Sequence, residues 1–457
     1  MEKVLTYLQE NRKQLLNKLS DLLAIPSVST DPAHQEDVKR AASFLETYLR
    51  DIGFSNIQQI ETKGHPLVYA EYNEAGPDAP TVLFYGHYDV QPVDPIELWE
   101  SDPFNADIRE GRIYARGSSD DKGQVFMHLA VFEALMKTKG ALPINVKVLI
   151  EGEEEIGSAN LYEVLVEKQE LFSADFAVIS DSGMVAMNQP TILYGLKGFT
   201  GIEFTVEGPN HDLHSGMYGG AVRNPLMALA HILASMKNED EVVTVKGFYD
   251  GVETLSEEER RLMNEIEGED YIKTTGVPET VSENGYTANE HTMARPTLEI
   301  NGMYGGYQGE GTKTIIPSKA TAKITCRLVP GQDPERIQQL LEEHILAHTP
   351  RGVRVTVKKE KLSAKAYKVE PNHPLIQMAA ESYAKAFNKE TVFVRMGGSI
   401  PVVEWIDAIF DMPIVLLGFG TPEDRLHSPN ESFPLDSFEK GMETLVYYWD
   451  QVKDYRP

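Results

Sequence analysis

Short, almost continuously apolar segments alternate with helical patterns early in the chain, and this alternation is the strongest constraint on the fold. Helical spacing of apolar residues predicts helices at about 123–138 and 158–169 between the later apolar segments. Segments that are apolar on both sides are typical of parallel strands with both faces covered. The sequence therefore predicts an α/β fold with a mostly parallel sheet and helices on both faces. The predicted strands are LVYAEY, TVLFYG, INVKVLIEG and DFAVIS, at residues 67–72, 81–86, 144–152 and 175–180.

Two helical patterns precede these strands. Leucine spacing predicts a first helix that runs to Leu23 and stops before Pro26. A second helix is predicted over Gln35–Ile52, with Gly53 suited to the C-terminal cap because glycine adopts a left-handed conformation without strain.

The pattern changes after Gly195-Leu196-Lys197-Gly198. Strands that alternate apolar and polar residues indicate a sheet with one exposed face, and hence a smaller α+β domain. The acidic segment 238–296 is predicted to be a helical, solvated insertion, and the first pattern resumes after Ser363. We therefore predict a discontinuous main domain, 1–197 and 363–457, interrupted by an inserted domain, 198–362. The inserted domain contains predicted strands at 199–208, 319–329 and 353–359 and predicted helices at about 224–236 and 333–347.

Charge and cysteine content exclude several classes of protein. The chain has 43 Lys and Arg against 70 Asp and Glu, a net charge of −27, which disfavours nucleic acid and anionic membranes as partners because both are polyanions. Cys326 is the only cysteine, so no intramolecular disulfide or thiolate zinc site can form, and we expect a buried thiol. The N-terminal segment lacks an apolar signal core, which predicts a soluble cytoplasmic protein.

Residue types that bind metal ions cluster directly after the predicted strands. In open parallel sheets, sites lie beyond the carboxyl ends of the strands, so these side chains are expected to converge. This convergence predicts a metal site. The residues are His87 and Asp89 after the second strand, Glu153, Glu154 and Glu155 after the third, Asp181 after the fourth, Asp120 and Asp121 before a helix, and His427 in a late loop.

Histidines and carboxylates without thiolates suit Zn²⁺, Mn²⁺ or Co²⁺ in a catalytic site. Asp89, two residues beyond His87, is placed to orient that imidazole. The pair Asp120-Asp121 either caps the following helix or bridges two cations, and the sequence leaves both interpretations open. A glutamate beside the metal ligands would serve as a proton shuttle, so amide hydrolysis is the natural reaction. The candidate ligands are His87, Asp120, Glu155, Asp181 and His427.

Seven motifs in order, YGHYDVQP, ARGSSDDKG, IEGEEEIGS, VISDSG, LHSGMYGG, RMGGSIP and RLHSPNE, resemble those of the aminoacylase, carboxypeptidase G and dipeptidase family of co-catalytic metallopeptidases. The resemblance covers nearly the whole chain and is closest to the branch of cytosolic nonspecific dipeptidase and carnosine dipeptidase. It implies that 1–197 and 363–457 form the metal-binding catalytic domain, and that 198–362 is a lid and dimerisation domain.

The resemblance also implies roles in a two-cation site. Asp120 bridges the cations and is followed by a cis peptide bond, Glu154 is the general base and acid, and Asp89 steers His87. Two divalent cations per subunit are expected, with Zn²⁺ as first choice and Mn²⁺ or Co²⁺ as alternatives. The remaining implied ligands are His87 and Asp181 for one cation and Glu155 and His427 for the other.

In the inserted domain, the resemblance implies that His214 reaches the site of a partner subunit and stabilises the oxyanion, which requires a homodimer. Spacing alone would allow a core histidine at this position. Arg327 matches the residue that binds the carboxylate of the substrate, and Thr314 and Ser399 match further substrate contacts.

The predicted function is that of a metal-dependent dipeptidase. In the family, deacylases usually carry Glu at the position of Asp181, so this aspartate favours dipeptides with a free amino group. The alternatives are an N-acyl amino acid deacylase of the acetylornithine or succinyl-diaminopimelate type, and a non-catalytic metal-binding scaffold.

Overall fold

The chain divides into two compact units in a computed structural model that describes residues 1–265 and 271–456. The first unit comprises Met1–Tyr194, Val369–Val394 and Trp405–Pro457, and the second comprises Gly195–Lys368 and Arg395–Glu404. The sequence placed 395–404, with Ser399, in the main domain. The structure assigns this segment to the second unit because the Lys197 N–H donates to the carbonyls of Met396 and Gly398, and the Ser399 hydroxyl donates to the Lys197 carbonyl.

The strands are short and spread over the whole chain. They are β1 (Ser55–Ile60), β2 (Leu67–Tyr72), β3 (Thr81–His87), β4 (Asp107–Arg109), β5 (Arg112–Tyr114), β6 (Asn145–Glu151), β7 (Phe176–Ile179), β8 (Thr191–Leu196), β9 (Gly198–Glu207), β10 (Leu213–His214), β11 (Thr297–Gly305), β12 (Ile315–Ile316), β13 (Lys319–Leu328), β14 (Arg354–Lys359), β15 (Tyr367–Lys368), β16 (Val392–Met396), β17 (Ile414–Leu416) and β18 (Ser432–Pro434).

The helices vary from single turns to five turns. They are α1 (Glu2–Glu10), α2 (Arg12–Leu23), α3 (Gln35–Ile52), α4 (Lys122–Lys139), α5 (Leu161–Glu167), α6 (Gln169–Phe172), α7 (Ser215–Tyr218), α8 (Pro225–Ala234), α9 (Glu257–Glu265), α10 (Tyr271–Thr275), α11 (Ala288–Ala294), α12 (Pro334–Ala347), α13 (Pro374–Phe387), α14 (Pro401–Phe410) and α15 (Leu435–Val452).

The first unit is built on a large sheet with the strand order β1-β2-β6-β3-β7-β17-β8. Its four central strands, β6, β3, β7 and β17, run parallel, whereas the outer strands pair antiparallel. The central strands are almost entirely buried, in keeping with their apolar sequences. The predicted α/β fold with a mostly parallel sheet is confirmed.

Helix α4 is the most deeply buried helix of the first unit. Every residue from Lys122 to Leu135 is buried, and the helix contacts β3 and four other helices, α1, α2, α3 and α15. Its residues are apolar on nearly all sides, which is typical of a helix enclosed by neighbours. Because α4 begins directly after Asp121, its burial holds the preceding loop in a defined position.

Two predicted helices differ from the structure. The first predicted helix is interrupted at Asn11, so α1 and α2 are separate, and the helix predicted at 158–169 is divided at Lys168 into α5 and α6. By contrast, α3 has the predicted bounds, and Gly53 adopts the left-handed C-cap conformation with φ of 102°. Strand β8 was missed.

The second unit contains an antiparallel sheet in the order β11-β13-β9-β14. Residues of β13 alternate between buried and exposed, and helices α8 and α12 pack against the sheet. Cys326 is fully buried, as expected, and burial raises the pKa of its thiol.

The segment 238–296 was predicted to be helical. Within the described residues it instead has only three short helices, α9, α10 and α11, and residues 266–270 lie outside the described residues.

Among the described residues, no helix combines the length and the apolar character needed to cross a membrane.

Candidate metal centre

The parallel centre of the sheet brings the ends of three strands to one edge. His87 is the last residue of β3 and lies opposite Glu151, the last residue of β6. Asp181 follows β7 by two residues, and β7 pairs with β3 in parallel. Because parallel strands end at the same edge, the loops that follow them share one space.

Asp120 lies between two histidines, one at the end of β3 and one in a late loop. Its Oδ1 atom is 3.1 Å from His87 Nε2, and its Oδ2 atom is 2.9 Å from His427 Nε2. Each carboxylate oxygen therefore faces a different imidazole, which is the arrangement needed for a bridging ligand.

Two groups of potential metal ligands share this carboxylate. In each group, one ligand atom per residue lies within 4.8 Å of the others. The structure thus brings together all five predicted ligands. The first group is His87, Asp120 and Asp181, and the second is Asp120, Glu155 and His427.

The donor atoms of these groups fit divalent cations. Imidazole nitrogens and carboxylate oxygens without thiolates suit Zn²⁺, Mn²⁺ and Co²⁺. Three carboxylates next to one another, with Asp120 shielded from solvent, also form a concentration of negative charge that two divalent cations would offset. The residues present therefore fit a two-cation site.

Asp89 contacts two parts of the site. His87 Nδ1 lies 3.1 Å from the Asp89 carbonyl oxygen and 3.4 Å from Asp89 Oδ1, which leaves Nε2 directed at Asp120. The Asp89 carboxylate also accepts hydrogen bonds from the backbone N–H groups of Glu154 and Glu155, at 3.2 and 3.1 Å. Asp89 therefore orients both the imidazole and the glutamate turn.

Asp120 and Asp121 have different surroundings although they are adjacent. The bond between them is cis, as the resemblance implied. Asp121 precedes α4, but its side chain makes no capping hydrogen bond and instead accepts one from the His87 N–H at 3.2 Å. The structure therefore does not support the helix-cap interpretation of this pair.

The three consecutive glutamates also differ. Glu153 is buried and accepts hydrogen bonds from the Asn160 amide and the His65 N–H, so it stabilises the turn. Glu155 Oε2 lies 3.3 Å from His427 Nε2. No hydrogen bond to the Glu154 carboxylate occurs within the described residues. Of the three, Glu154 is the carboxylate left available for proton transfer.

The electrostatics of the site follow from its buried charges. Burial and the nearby Asp181 raise the pKa of Glu154 to about 9. Hydrogen bonds to Asp120 and Glu155 raise the pKa of His427 to about 10. Burial lowers the pKa of His87, but Asp120, Asp181 and Asp89 outweigh it and hold this pKa well above its usual range. In the absence of cations, protons held by Glu154, His87 and His427 thus offset negative charge of the carboxylates.

The other four predicted site residues, His214, Thr314, Arg327 and Ser399, lie in the second unit. Arg327 Nη1 donates to Ser399 Oγ at 2.8 Å. His214 is exposed at the end of β10, and the N–H of the following Ser215 donates to the Thr314 carbonyl at 3.0 Å.

Gln91 is a site residue that the sequence analysis missed. Its Nε2 atom donates to Glu155 Oε2 at 2.8 Å, so it helps to orient a candidate ligand. Its position inside the YGHYDVQP motif, two residues beyond Asp89, was the available signal.

Comparison with known families identifies the family of this chain. The sequence pattern of the family described as Peptidase family M20/M25/M40 matches residues 83–451. The chain belongs to this peptidase family. The match includes all five candidate ligands, and membership identifies the M20-family chain as a peptide-bond hydrolase.

Several known proteins are similar to this M20-family chain over nearly their full lengths. Cys-Gly metallodipeptidase DUG1 of Candida albicans is 31% identical, with 96% of this chain and 95% of the relative aligned. Beta-Ala-His dipeptidase of Homo sapiens is 28% identical, with 98% and 92% aligned. The structure of the M20 family metallo-carboxypeptidase Sso-CP2 from Sulfolobus solfataricus is 33% identical, with a TM-score of 0.84 and 96% and 99% covered.

We expect His427→Ala to remove one of two bound cations, because His427 belongs to only one of the two ligand groups. Metal content per subunit, measured by elemental analysis after dialysis, should fall from two equivalents to about one. His34→Ala is the matched control, since His34 lies in the first unit and its imidazole, among the residues that the structure describes, pairs only with Asp37. Retention of two equivalents in His427→Ala would exclude His427 as a ligand.

Proposed function

We propose that this M20-family chain is a two-metal dipeptidase that cleaves dipeptides with free amino and carboxyl groups. The observation that carries the proposal is the position of Asp120 between the two ligand groups, with Glu154 beside them. The relatives named as Cys-Gly and Beta-Ala-His dipeptidases support the substrate class.

We assign His87 and Asp181 to one cation, Glu155 and His427 to the other, and Asp120 to both. Zn²⁺ is our first choice and Mn²⁺ and Co²⁺ are alternatives, because all three accept imidazole and carboxylate donors. When bound, such cations supply Lewis acidity, which polarises a carbonyl and lowers the pKa of water.

Glu154 is the proposed general base and acid. Its carboxylate takes a proton from the attacking water and returns it to the departing amino group as the peptide bond breaks. The ionised form of Glu154 is favoured once positive charge lies beside this group of carboxylates. Asp89 supports this role by holding the Glu154 N–H.

Arg327 and Ser399 are the proposed contacts of the substrate carboxylate. A guanidinium binds a carboxylate through two parallel hydrogen bonds, and the contact between Arg327 and Ser399 restricts the orientation of the arginine. Thr314 is proposed as a further substrate contact beside His214.

His214 is proposed to stabilise the oxyanion in the site of a second subunit. Its exposed position supports this, and so does an exposed apolar edge of the sheet, since Ile300, Met303 and Tyr304 lie on the edge strand β11. An apolar edge strand is a template for pairing with a second copy. We therefore propose a homodimer formed through the second unit.

A cytoplasmic location is also proposed. The chain has a single cysteine and forms no intramolecular disulfide that would require an oxidising compartment, which supports this location.

A second candidate function is carboxypeptidase activity, favoured by the similarity to the metallo-carboxypeptidase Sso-CP2. Both activities require a free carboxylate, but only a dipeptidase requires the free amino group next to the scissile bond. The deacylase alternative requires an acylated amino group instead.

A substrate panel separates these activities. Purified protein with Zn²⁺, Mn²⁺ or Co²⁺ should hydrolyse free dipeptides faster than dipeptide amides, N-acyl amino acids or N-blocked longer peptides, as measured by amino acid release. Arg327→Ala should abolish the discrimination between acid and amide, because it removes the charged contact. Hydrolysis of N-acyl amino acids alone would refute the proposal in favour of a deacylase, and preference for N-blocked longer peptides would favour a carboxypeptidase.

We expect Glu154→Gln to lower kcat about 10²- to 10⁴-fold, because the isosteric amide cannot accept the proton. Elemental analysis should still find the wild-type metal content, since Glu154 belongs to neither ligand group. Unchanged turnover would contradict the proposed role, and turnover that is lost only together with metal would assign Glu154 to binding instead.

The shared site is tested by mixing two inactive variants. His214→Ala lacks the oxyanion contact and Glu154→Gln lacks the base, so a mixed dimer contains one site with both residues intact. Activity should rise towards about half of the wild-type value per mixed dimer. Subunit exchange is verified by native mass spectrometry, and exchange without recovery would argue against His214 acting across subunits.

A further inference from the structure

Glu431 is a buried carboxylate outside the ligand groups that contacts the segment preceding α4. Its Oε1 atom accepts hydrogen bonds from the N–H groups of Ser119 and Asp120, at 3.0 and 3.1 Å. Its Oε2 atom accepts from the Gly117 N–H at 3.0 Å and from Arg116 Nη1 at 2.7 Å. One side chain therefore binds four donors on the segment that carries Asp120.

Asp424 makes a second contact between the same two segments. Its Oδ2 atom accepts from the Ser119 hydroxyl at 2.6 Å and from the Thr421 N–H at 2.8 Å. Like Glu431, it is fully buried. Asp424 and Glu431 stand three residues before and four residues after His427, so they flank the histidine on its loop.

We propose that two positioning residues, Glu431 and Asp424, hold Asp120 and His427 in the relative positions needed to bind two cations. These two residues are called the brace. The brace joins the loop of the bridging carboxylate to the loop of a ligand for the second cation. It rests on the proposed two-cation centre but not on the identity of the substrate.

The contacts of Glu431 require that both oxygens of its side chain act as hydrogen-bond acceptors. Three donors are backbone N–H groups and the fourth is a guanidinium, and none of them can accept a hydrogen bond. An amide in place of the carboxylate would turn an NH₂ group towards at least two of these donors. Glu431→Gln therefore preserves the shape of the side chain while it breaks one side of the brace.

Arg116 extends the brace to the loop that follows β3. Its side chain is fully buried, and its Nη2 atom donates to the Pro92 carbonyl at 2.9 Å while Nη1 binds Glu431. Pro92 lies in the loop that follows His87 and contains Asp89. The buried ion pair between Arg116 and Glu431 thus connects this loop with the Asp120 segment and the His427 loop.

The backbone conformation of the His427 loop requires stabilising contacts from other segments. Arg425, His427 and Asn430 all have positive φ values, of 57°, 58° and 63°. Residues other than glycine persist in this conformation only where surrounding contacts determine it. Asn430 accepts a hydrogen bond from the Glu100 N–H and donates one to the Leu98 carbonyl. Asp424 and Glu431 instead contact the segment that carries Asp120.

The test compares the cation affinities of Glu431→Gln and wild-type protein, measured by chelator competition with Zn²⁺ and with Mn²⁺. Because Asp120 belongs to both ligand groups, both dissociation constants should rise about 10- to 100-fold. Glu133→Gln is the matched control. Glu133 is also a buried carboxylate of the first unit, but its donors are Tyr7, Lys18 and Tyr48. This control should lower the thermal unfolding temperature without changing either dissociation constant.

The outcomes are distinct. Wild-type affinities in Glu431→Gln, or equal weakening in Glu133→Gln, would overturn the brace. If Glu431→Gln does not fold, Ser119→Ala decides, because it removes only the hydroxyl bound to Asp424. Ser119→Ala should bind both cations more weakly, and unchanged affinity would refute the proposal. Wild-type protein that binds two cations but cleaves no dipeptide would refute the proposed function alone, whereas failure to bind two cations would refute both.

Discussion

The position of one carboxylate, Asp120, between two imidazoles is the contact on which the rest of the site depends. Its two oxygens face His87, at the end of β3, and His427, in a loop more than 300 residues later in the sequence. Charge of this density is stable in a buried place only when opposite charge balances it. Protons provide this balance in the metal-free protein, and two divalent cations would provide it if they were bound by the two ligand groups.

In this fold the sheet and helix α4 form the support, and the candidate ligands stand at the strand ends and in the loops beside it. The parallel strands β3, β6 and β7 end at one edge of the sheet, and the enclosed helix α4 holds the segment that precedes it. Around this frame, acceptors and donors between loops define the positions of the ligands. Asp89 holds the Glu154–Glu155 turn and the His87 ring, while Glu431 contacts the backbone on both sides of Ser119.

Much of the fold and the candidate site could be predicted because the signals were local. Apolar runs and glycine caps identified the central strands and α3, and ligand-type residues stood directly after strands. Other features depend on distant contacts. Residues 395–404 belong to the second unit through hydrogen bonds to Lys197. The described residues of 238–296 lie mostly outside helices, although the segment is rich in glutamate. Intrinsic helix propensity predicts local structure only weakly wherever tertiary contacts supply hydrogen-bond partners for the backbone N–H and C=O groups.

By itself, the sequence determined the α/β class, the family resemblance and the five ligand-type residues, because each is written in short motifs and in the spacing of apolar residues. Only the tertiary structure decided which glutamate of the run 153–155 supports the turn, which faces His427, and which has a carboxylate without a hydrogen-bond partner among the described residues. It also brought Gln91 and Glu431 into contact with residues of the candidate site, contacts that the sequence alone had not indicated. Adjacent residues of one chemical type look alike in sequence, and only the partners brought from other loops distinguish them.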